Sequence, residues 1–174
     1  MILHVINGQG FSLGQVGRTE LVSASEEIEI QRGQLLYVDS NGEFRVAGED
    51  QAGDATTAGE VVYFALQGSD NMTAQMAGGL DGSQPAITGL SCTGSLLIET
   101  DMFDGELTPE MLLSVGENGK LVELQDGQTA VARCVSAPEV RWANDAVAVP
   151  GRRTGGNATV IRALTLFAPQ VATA

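Results

Sequence analysis

The chain has 174 residues, 43% of them hydrophobic, and its formal net charge is −13. A chain of this length buries enough apolar surface to form a core without disulfides or a metal ion. An acidic surface repels nucleic acid, which proteins bind by replacing condensed cations with Lys and Arg, and it disfavours anionic membranes. We therefore expect a globular protein whose partners are neither nucleic acid nor membrane.

The N-terminal segment, residues 1–18, is predicted to be either an arm that reaches a neighbouring molecule or an edge strand. It starts with a short apolar run, and a glycine-rich stretch that contains Phe11 follows. The segment lacks the basic start and the apolar length of a signal peptide, and the chain has no apolar run of about 18 residues. The sequence thus predicts a protein that folds in the cytoplasm.

Residues 19–174 are predicted to form a β-rich domain, with two lobes at about 19–100 and 101–174 as an alternative. The 22 glycines have no fixed period, so they mark turns, and the runs between them alternate or are rich in β-branched residues. The predicted strands are residues 2–6, 21–24, 28–30, 34–38, 43–46, 61–66, 87–100 (one strand or two), 111–115, 120–124, 129–136 and 157–167. The expected fold is all-β, an antiparallel β-sandwich or β-barrel with long loops.

Two predicted hairpins share a sequence pattern. Residues 35–42 and 112–119 both read Leu-Leu-x-Val-x-x-Asn-Gly. Asn-Gly between two apolar runs is a strong hairpin signal, because both residues tolerate positive φ. A turn-rich break and another apolar strand follow each hairpin, at 61–66 and 130–135. One interpretation is a duplicated three-strand meander, and the other is that Asn-Gly hairpins resemble each other for physical reasons alone.

No arrangement of residues predicts a catalytic site. A serine or cysteine nucleophile needs a neighbouring base, and the chain has a single histidine, His4. Cys92 and Cys134 lie in apolar runs with no histidine or lysine nearby and are interpreted as reduced, buried residues, with a disulfide between adjacent strands as the alternative. The glycines at residues 8–17 lack the Gly-Lys-Ser/Thr ending of a phosphate-binding loop. We therefore predict that the protein is not an enzyme.

A group of carboxylates is concentrated in the connection after residue 100. It comprises Asp101, Asp104, Glu106 and Glu110. Calcium takes several oxygens from one loop, but this spacing does not fit an EF-hand, so a solvated acidic connection is the default interpretation and a cation site the alternative. A glycosidase pair is disfavoured because aromatic residues make up only 5% of the chain. No cofactor and no bound metal are predicted.

The segment 137–156 is the strongest candidate for an interaction site. It separates two predicted strands, contains the only tryptophan, and is long for a connection within a compact domain. Trp and Arg often anchor protein interfaces, whereas the alternative is a loop that buries Trp142 in the chain's own core. The predicted interface residues are Phe11, Arg141, Trp142, Val147, Val149, Arg152 and Arg153.

The Gly-x-Leu-Leu-x-Val-x-x-Asn-Gly hairpin, the strand at 130–136 and the acidic, Gly/Ala-rich loops resemble the cement, or decoration, proteins of tailed-bacteriophage capsids. The resemblance covers roughly residues 32–67 and 108–167. It implies a virion protein assembled in the host cytoplasm, which binds the outer capsid surface and bridges neighbouring major capsid proteins as a homo-dimer or trimer. It supplies no catalytic residues, and the Trp142 segment has no counterpart in the family pattern.

Two other functions stay open from the sequence. One is a different structural module of a virion, such as a tail, baseplate or fibre domain. The other is a β-barrel that binds a small ligand or a carbohydrate.

Overall fold

The computed structural model describes residues 3–6, 19–23, 29–48, 62–66, 68, 86–91, 96–142 and 157–171. Within these ranges the chain is built of β-strands, with one short 3₁₀ turn at Glu117–Gly119. The strands are β1 (Leu3–Ile6), β2 (Thr19–Ser23), β3 (Leu35–Val38), β4 (Phe44–Val46), β5 (Tyr63–Ala65), β6 (Ala86–Ser91), β7 (Leu97–Thr100), β8 (Leu112–Val115), β9 (Leu121–Glu123), β10 (Thr129–Trp142) and β11 (Asn157–Val171). The predicted all-β fold is confirmed.

The strands form two antiparallel sheets. One sheet has six strands in the order β1-β7-β11-β10-β8-β9, and the other has five in the order β2-β6-β5-β3-β4. Within the described residues, no helix has the length and apolarity to cross a membrane.

The two sheets repeat one five-stranded unit. Unit 1 comprises β2 to β6, unit 2 comprises β7 to β11, and in both the spatial order is first, fifth, fourth, second, third strand. Strand β1 is an addition at the edge of β7. The repeated unit is therefore larger than the three-strand meander that the sequence pattern indicates.

The two units also share hydrogen bonds outside their ladders. A residue with left-handed φ precedes the second strand of each unit, Gly33 (89°) in unit 1 and Glu110 (72°) in unit 2. The corresponding bonds are Gly33 N to Ala65 O (2.8 Å) and Glu110 N to Cys134 O (2.9 Å), then Ala65 N to Gln34 O (2.9 Å) and Cys134 N to Met111 O (2.8 Å). The repeat thus extends to the turns, although glycine fits the left-handed turn and glutamate does not.

Both predicted Asn-Gly hairpins are confirmed, and their registers are the same. In β3–β4 the last pair before the turn is Val38 with Phe44, and in β8–β9 it is Val115 with Leu121. The first turn is organised by Asp39. Its Oδ2 accepts from Arg45 Nε (2.6 Å), and its Oδ1 accepts from the backbone N of residues 41 and 43. The Arg45 hydrogen bond, and next the backbone donors, lower the pKa of Asp39.

Each unit has a front face of corresponding buried apolar residues. In unit 1 these are Ile30, Leu36, Phe44, Tyr63, Ala65 and Ile87. In unit 2 the residues at the same register positions are Leu107, Leu113, Leu121, Ala132, Cys134 and Ile161. The front face of unit 1 forms a cluster of its own, whereas that of unit 2 belongs to the larger core.

The units pack front to back. The larger core joins the front of unit 2 to the opposite face of unit 1, which contributes Leu35, Ala47, Val62, Phe64 and Leu90. Because the two units use different faces, this contact is heterologous. In a symmetric, face-to-face contact both units would use the same face. The back of unit 2 has a different composition, since half-buried Arg133 occupies the position that corresponds to fully buried Phe64.

The tip of the β8–β9 hairpin fixes unit 2 to unit 1. Gly119 N donates to Ala47 O (2.8 Å), and Gln34 Nε2 donates to Asn118 O (3.0 Å). The backbone approach is so close that a Cβ at Gly119 would lie 2.6 Å from Leu35 O. Glycine is therefore required there for space as well as for its φ of 66°.

Candidate protein-interaction site

Strands β10 and β11 extend past the rest of their sheet as a two-stranded ribbon. Their ladder continues from the Glu139–Val160 pair to the Trp142–Asn157 pair. The neighbouring strands stop earlier, because β8 pairs with β10 only at residues 132–133 and β7 pairs with β11 only at residues 161–164. We call residues 139–142 and 157–160 the ribbon, and among the described strands each half has only the other as a partner.

The ribbon corrects the boundary of the predicted connection. Residues 137–142 were expected to lie in a long loop, but they are part of β10, so the connection between the strands spans residues 143–156. Pro138 lies at a register shift between Ser136 and Glu139, where a residue without an N–H is tolerated within a strand.

One side of the ribbon is open to solvent and carries an exposed valine. Val140 is 67% exposed and Val135, lower on the same strand, is 44% exposed. Thr159, the register partner of Val140, is also exposed, whereas the next residue, Val160, is fully buried. Val160 is thus shielded from solvent, although it belongs to neither of the two core clusters, whereas Val140 is free to contact another molecule. Neither valine was among the predicted interface residues, although the alternation of residues 139–142 is a strand signal.

The structure places two of the predicted interface residues on this ribbon. The backbones of Arg141 and Trp142 pair with Ala158 and Asn157 at its far end. Their side chains, and the residues Val147, Val149, Arg152, Arg153 and Phe11, lie outside the part of the chain that the structure describes.

The arginines at the base of the ribbon pair with carboxylates of the same chain. Arg162 Nε lies 3.3 Å from Glu99 Oε2, which is largely buried, and Arg162 N donates to Ser136 Oγ (3.1 Å). Arg133 lies 3.3 Å from Glu110, but Arg133 is only half-buried and Glu110 is exposed, so this pair contributes little to stability. The Arg162–Glu99 pair therefore links β11 to β7 at the base of the ribbon, where it is partly shielded from solvent.

Cys134, on the same strand, is a free thiol in the core. Burial raises its pKa, while the bond from its Sγ to Ser136 O (3.1 Å) has a weaker, opposing effect. A protonated, buried thiol is a poor nucleophile, since the thiolate is the reactive form. Cys92 lies outside the described residues.

The carboxylates after residue 100 do not converge. Asp104 lies 3.5 Å from Lys120 Nζ at the surface, Glu110 faces Arg133, and Glu106 is exposed. In the described ranges, no three His, Cys, Asp or Glu side chains are placed to hold a metal ion. These residues therefore give no geometric support to a cation site.

Comparison of this chain with protein-family models, with characterised proteins and with solved structures finds no match. The function is therefore inferred from the described residues and from the family resemblance of the sequence.

Proposed function

We propose that the protein is a structural component of a virion, which binds the outer surface of an icosahedral capsid and cements neighbouring major capsid proteins. The observation that carries this proposal is the ribbon, a two-stranded projection with an exposed valine, Val140, and a tryptophan at its described end. An exposed apolar side chain on a projection suits docking into a groove between subunits.

The scaffold beneath the ribbon suits this role. The front-to-back packing of two units produces a large core cluster to which both sheets contribute. A rigid body loses little conformational entropy when it binds, so contacts at the ribbon contribute more fully to affinity. On a lattice, many such contacts act together, and the avidity exceeds the affinity of one site.

The charge of the chain indicates what the partner surface contains. A net charge of −13 favours a partner with basic patches, and it accelerates encounter with such a surface. Binding should therefore weaken as the salt concentration rises, because screening reduces the attraction.

Co-sedimentation with a panel of undecorated tailed-phage capsids tests the proposal. The wild-type protein should pellet with a capsid, and Val140→Asp should reduce the affinity about tenfold, as expected for loss of an interface anchor. The matched control is Asn41→Asp, which adds the same charge at an exposed turn of unit 1 and should bind as the wild type does.

Two outcomes would contradict the proposal. One is failure of the folded wild-type protein to bind any capsid of the panel. The other is equal weakening by Val140→Asp and Asn41→Asp, because the ribbon would then have no special part in binding. Assembly of the pure protein into rings or filaments without a capsid would instead support a tail or baseplate module.

A further inference from the structure

Strands β7 and β2 occupy the same position in the two units, but their outer edges differ. The edge of β7 pairs with β1 in antiparallel orientation, from Leu3 with Thr100 to Ile6 with Leu97. The corresponding strand of unit 1, β2, pairs with β6 along all five residues. Among the described strands it has no partner on its other side. Unit 2 therefore shows that this edge accepts an additional extended strand.

The other edges of the two sheets are protected. Phe103 bridges to Leu121 outside β9, and Leu121 exchanges backbone bonds with Met102 and Asp104. Beside β4, which has only three residues, Ala47 O accepts from Gly119 N. At the outer sheet edge, Leu3 O in β1 accepts from Arg32 Nη2 (2.8 Å). In the described part of the chain, β2 is the edge strand without such a contact.

The sequence of β2 has little of the usual protection of an edge. Proteins discourage pairing between edges with charged side chains, Lys above all, and with Pro, bulges or very short strands. Strand β2 reads Thr-Glu-Leu-Val-Ser, in which Glu20 is the single charge, and its ladder with β6 has no register shift. An edge with so little protection is a ready site for pairing with another strand.

We propose that β2 pairs with β2 of a second copy across a two-fold axis, which joins the two five-stranded sheets into one. Two-fold symmetry makes the paired strands antiparallel, the orientation that β1 adopts on β7. With the axis at Leu21, Thr19 lies opposite Ser23, and Glu20 lies opposite Val22. No like charges then stand directly opposite each other in this register, so the strand is complementary to itself.

The response to salt concentration distinguishes this dimer contact from binding to a capsid. Each copy carries a net charge of −13, so two copies repel each other, and screening should strengthen the dimer. Attachment to a basic capsid surface should weaken under the same change. The two associations therefore respond to salt with opposite signs.

Site-specific crosslinking of the isolated protein tests the pairing. In a Cys92→Ser/Cys134→Ala background, Leu21→Cys places two thiols beside each other on the axis, and a short bismaleimide should yield a covalent dimer. Alanine fits at position 134 because Ala65 fills the corresponding position of unit 1. Glu123→Cys, exposed on the β9 edge, is the matched control and should stay monomeric. Light scattering should show a dimer that gains population with protein and salt concentration.

A second pair of variants guards against misfolding of Leu21→Cys. Mixed Thr19→Cys and Ser23→Cys copies, with different tags, should crosslink to each other more than either does to itself. The proposal is overturned if Leu21→Cys and the mixed pair crosslink no more than Glu123→Cys. A monomeric mass at high protein and salt concentration would overturn it as well. Both measurements use the free protein, so they are independent of capsid binding.

Discussion

Gly119 and Gly42 hold the same place in two matching hairpins, but only Gly119 touches the other unit. Both have left-handed φ, 66° and 80°. A Cβ at Gly42 would meet nothing within 4 Å, whereas one at Gly119 would lie 2.6 Å from Leu35 O and 2.9 Å from Leu35 N. Alanine at each position therefore separates the cost of backbone strain from the cost of undocking the two units.

The expected losses of unfolding free energy in Gly42→Ala and Gly119→Ala follow from these contacts. Left-handed φ costs an L-residue about 1–2 kcal/mol, and replacing glycine returns about 0.4–1 kcal/mol through the unfolded chain. Gly42→Ala should thus lower the free energy of unfolding by about 1 kcal/mol. Gly119→Ala adds a clash with backbone, about 1–3 kcal/mol, and weakens two hydrogen bonds of about 1 kcal/mol each. We expect a total loss of about 3–4 kcal/mol.

Urea denaturation of the wild type and both variants measures the difference. If the larger core couples the units, each protein should unfold in one transition, with similar m-values and a lower midpoint for Gly119→Ala. Equal losses for the two variants would refute the docking role of the hairpin tip. A Gly119→Ala variant with two separate transitions would show that the tip is needed for the units to unfold together.

Three further predictions address single residues. Glu110→Gly should raise the free energy of unfolding by about 0.5 kcal/mol in denaturation experiments. Relief of the left-handed φ outweighs the entropy cost of glycine and the loss of a surface ion pair. A variant that is less stable than Glu110→Gln would contradict this. The pKa of Asp39 is lowered in the fold, so its stabilisation is present above the unfolded pKa and disappears as pH falls through the folded one. Asp39→Asn should therefore destabilise at neutral pH, with its stability curve meeting that of the wild type in acid; a constant gap would contradict this. Cys134 should react with maleimide only upon unfolding, as measured by peptide mapping, and rapid labelling of the native protein would disprove its burial.

Local sequence signals predicted most of the strands because alternation and Asn-Gly turns act over a few residues. They left alternatives open, or gave incomplete bounds, where distant pairing decides. Residues 87–100 divide between β6 and β7, which belong to different sheets, and no local signal separates them. The strand predicted at 157–167 continues to Val171, since the start of β10 provides a partner for that end.

The sequence likewise did not predict which face of a strand packs between the two units. Leu35 and Leu36 are adjacent and chemically identical, but the first packs between the units and the second on the front of unit 1. Their roles depend on how two whole units meet. The candidate site was only partly predicted, because residues 137–142 were assigned to the connection and not to the strand that carries Val140.

The two proposed contacts use different units. The ribbon belongs to unit 2, and the edge of β2, which has no partner among the described strands, belongs to unit 1, so neither contact uses the other's strands. A dimer formed through β2 would present two ribbons, and the second would engage at a high effective concentration once the first had bound. Substitutions that break the β2 pairing should then weaken attachment to a capsid while each ribbon keeps its own affinity.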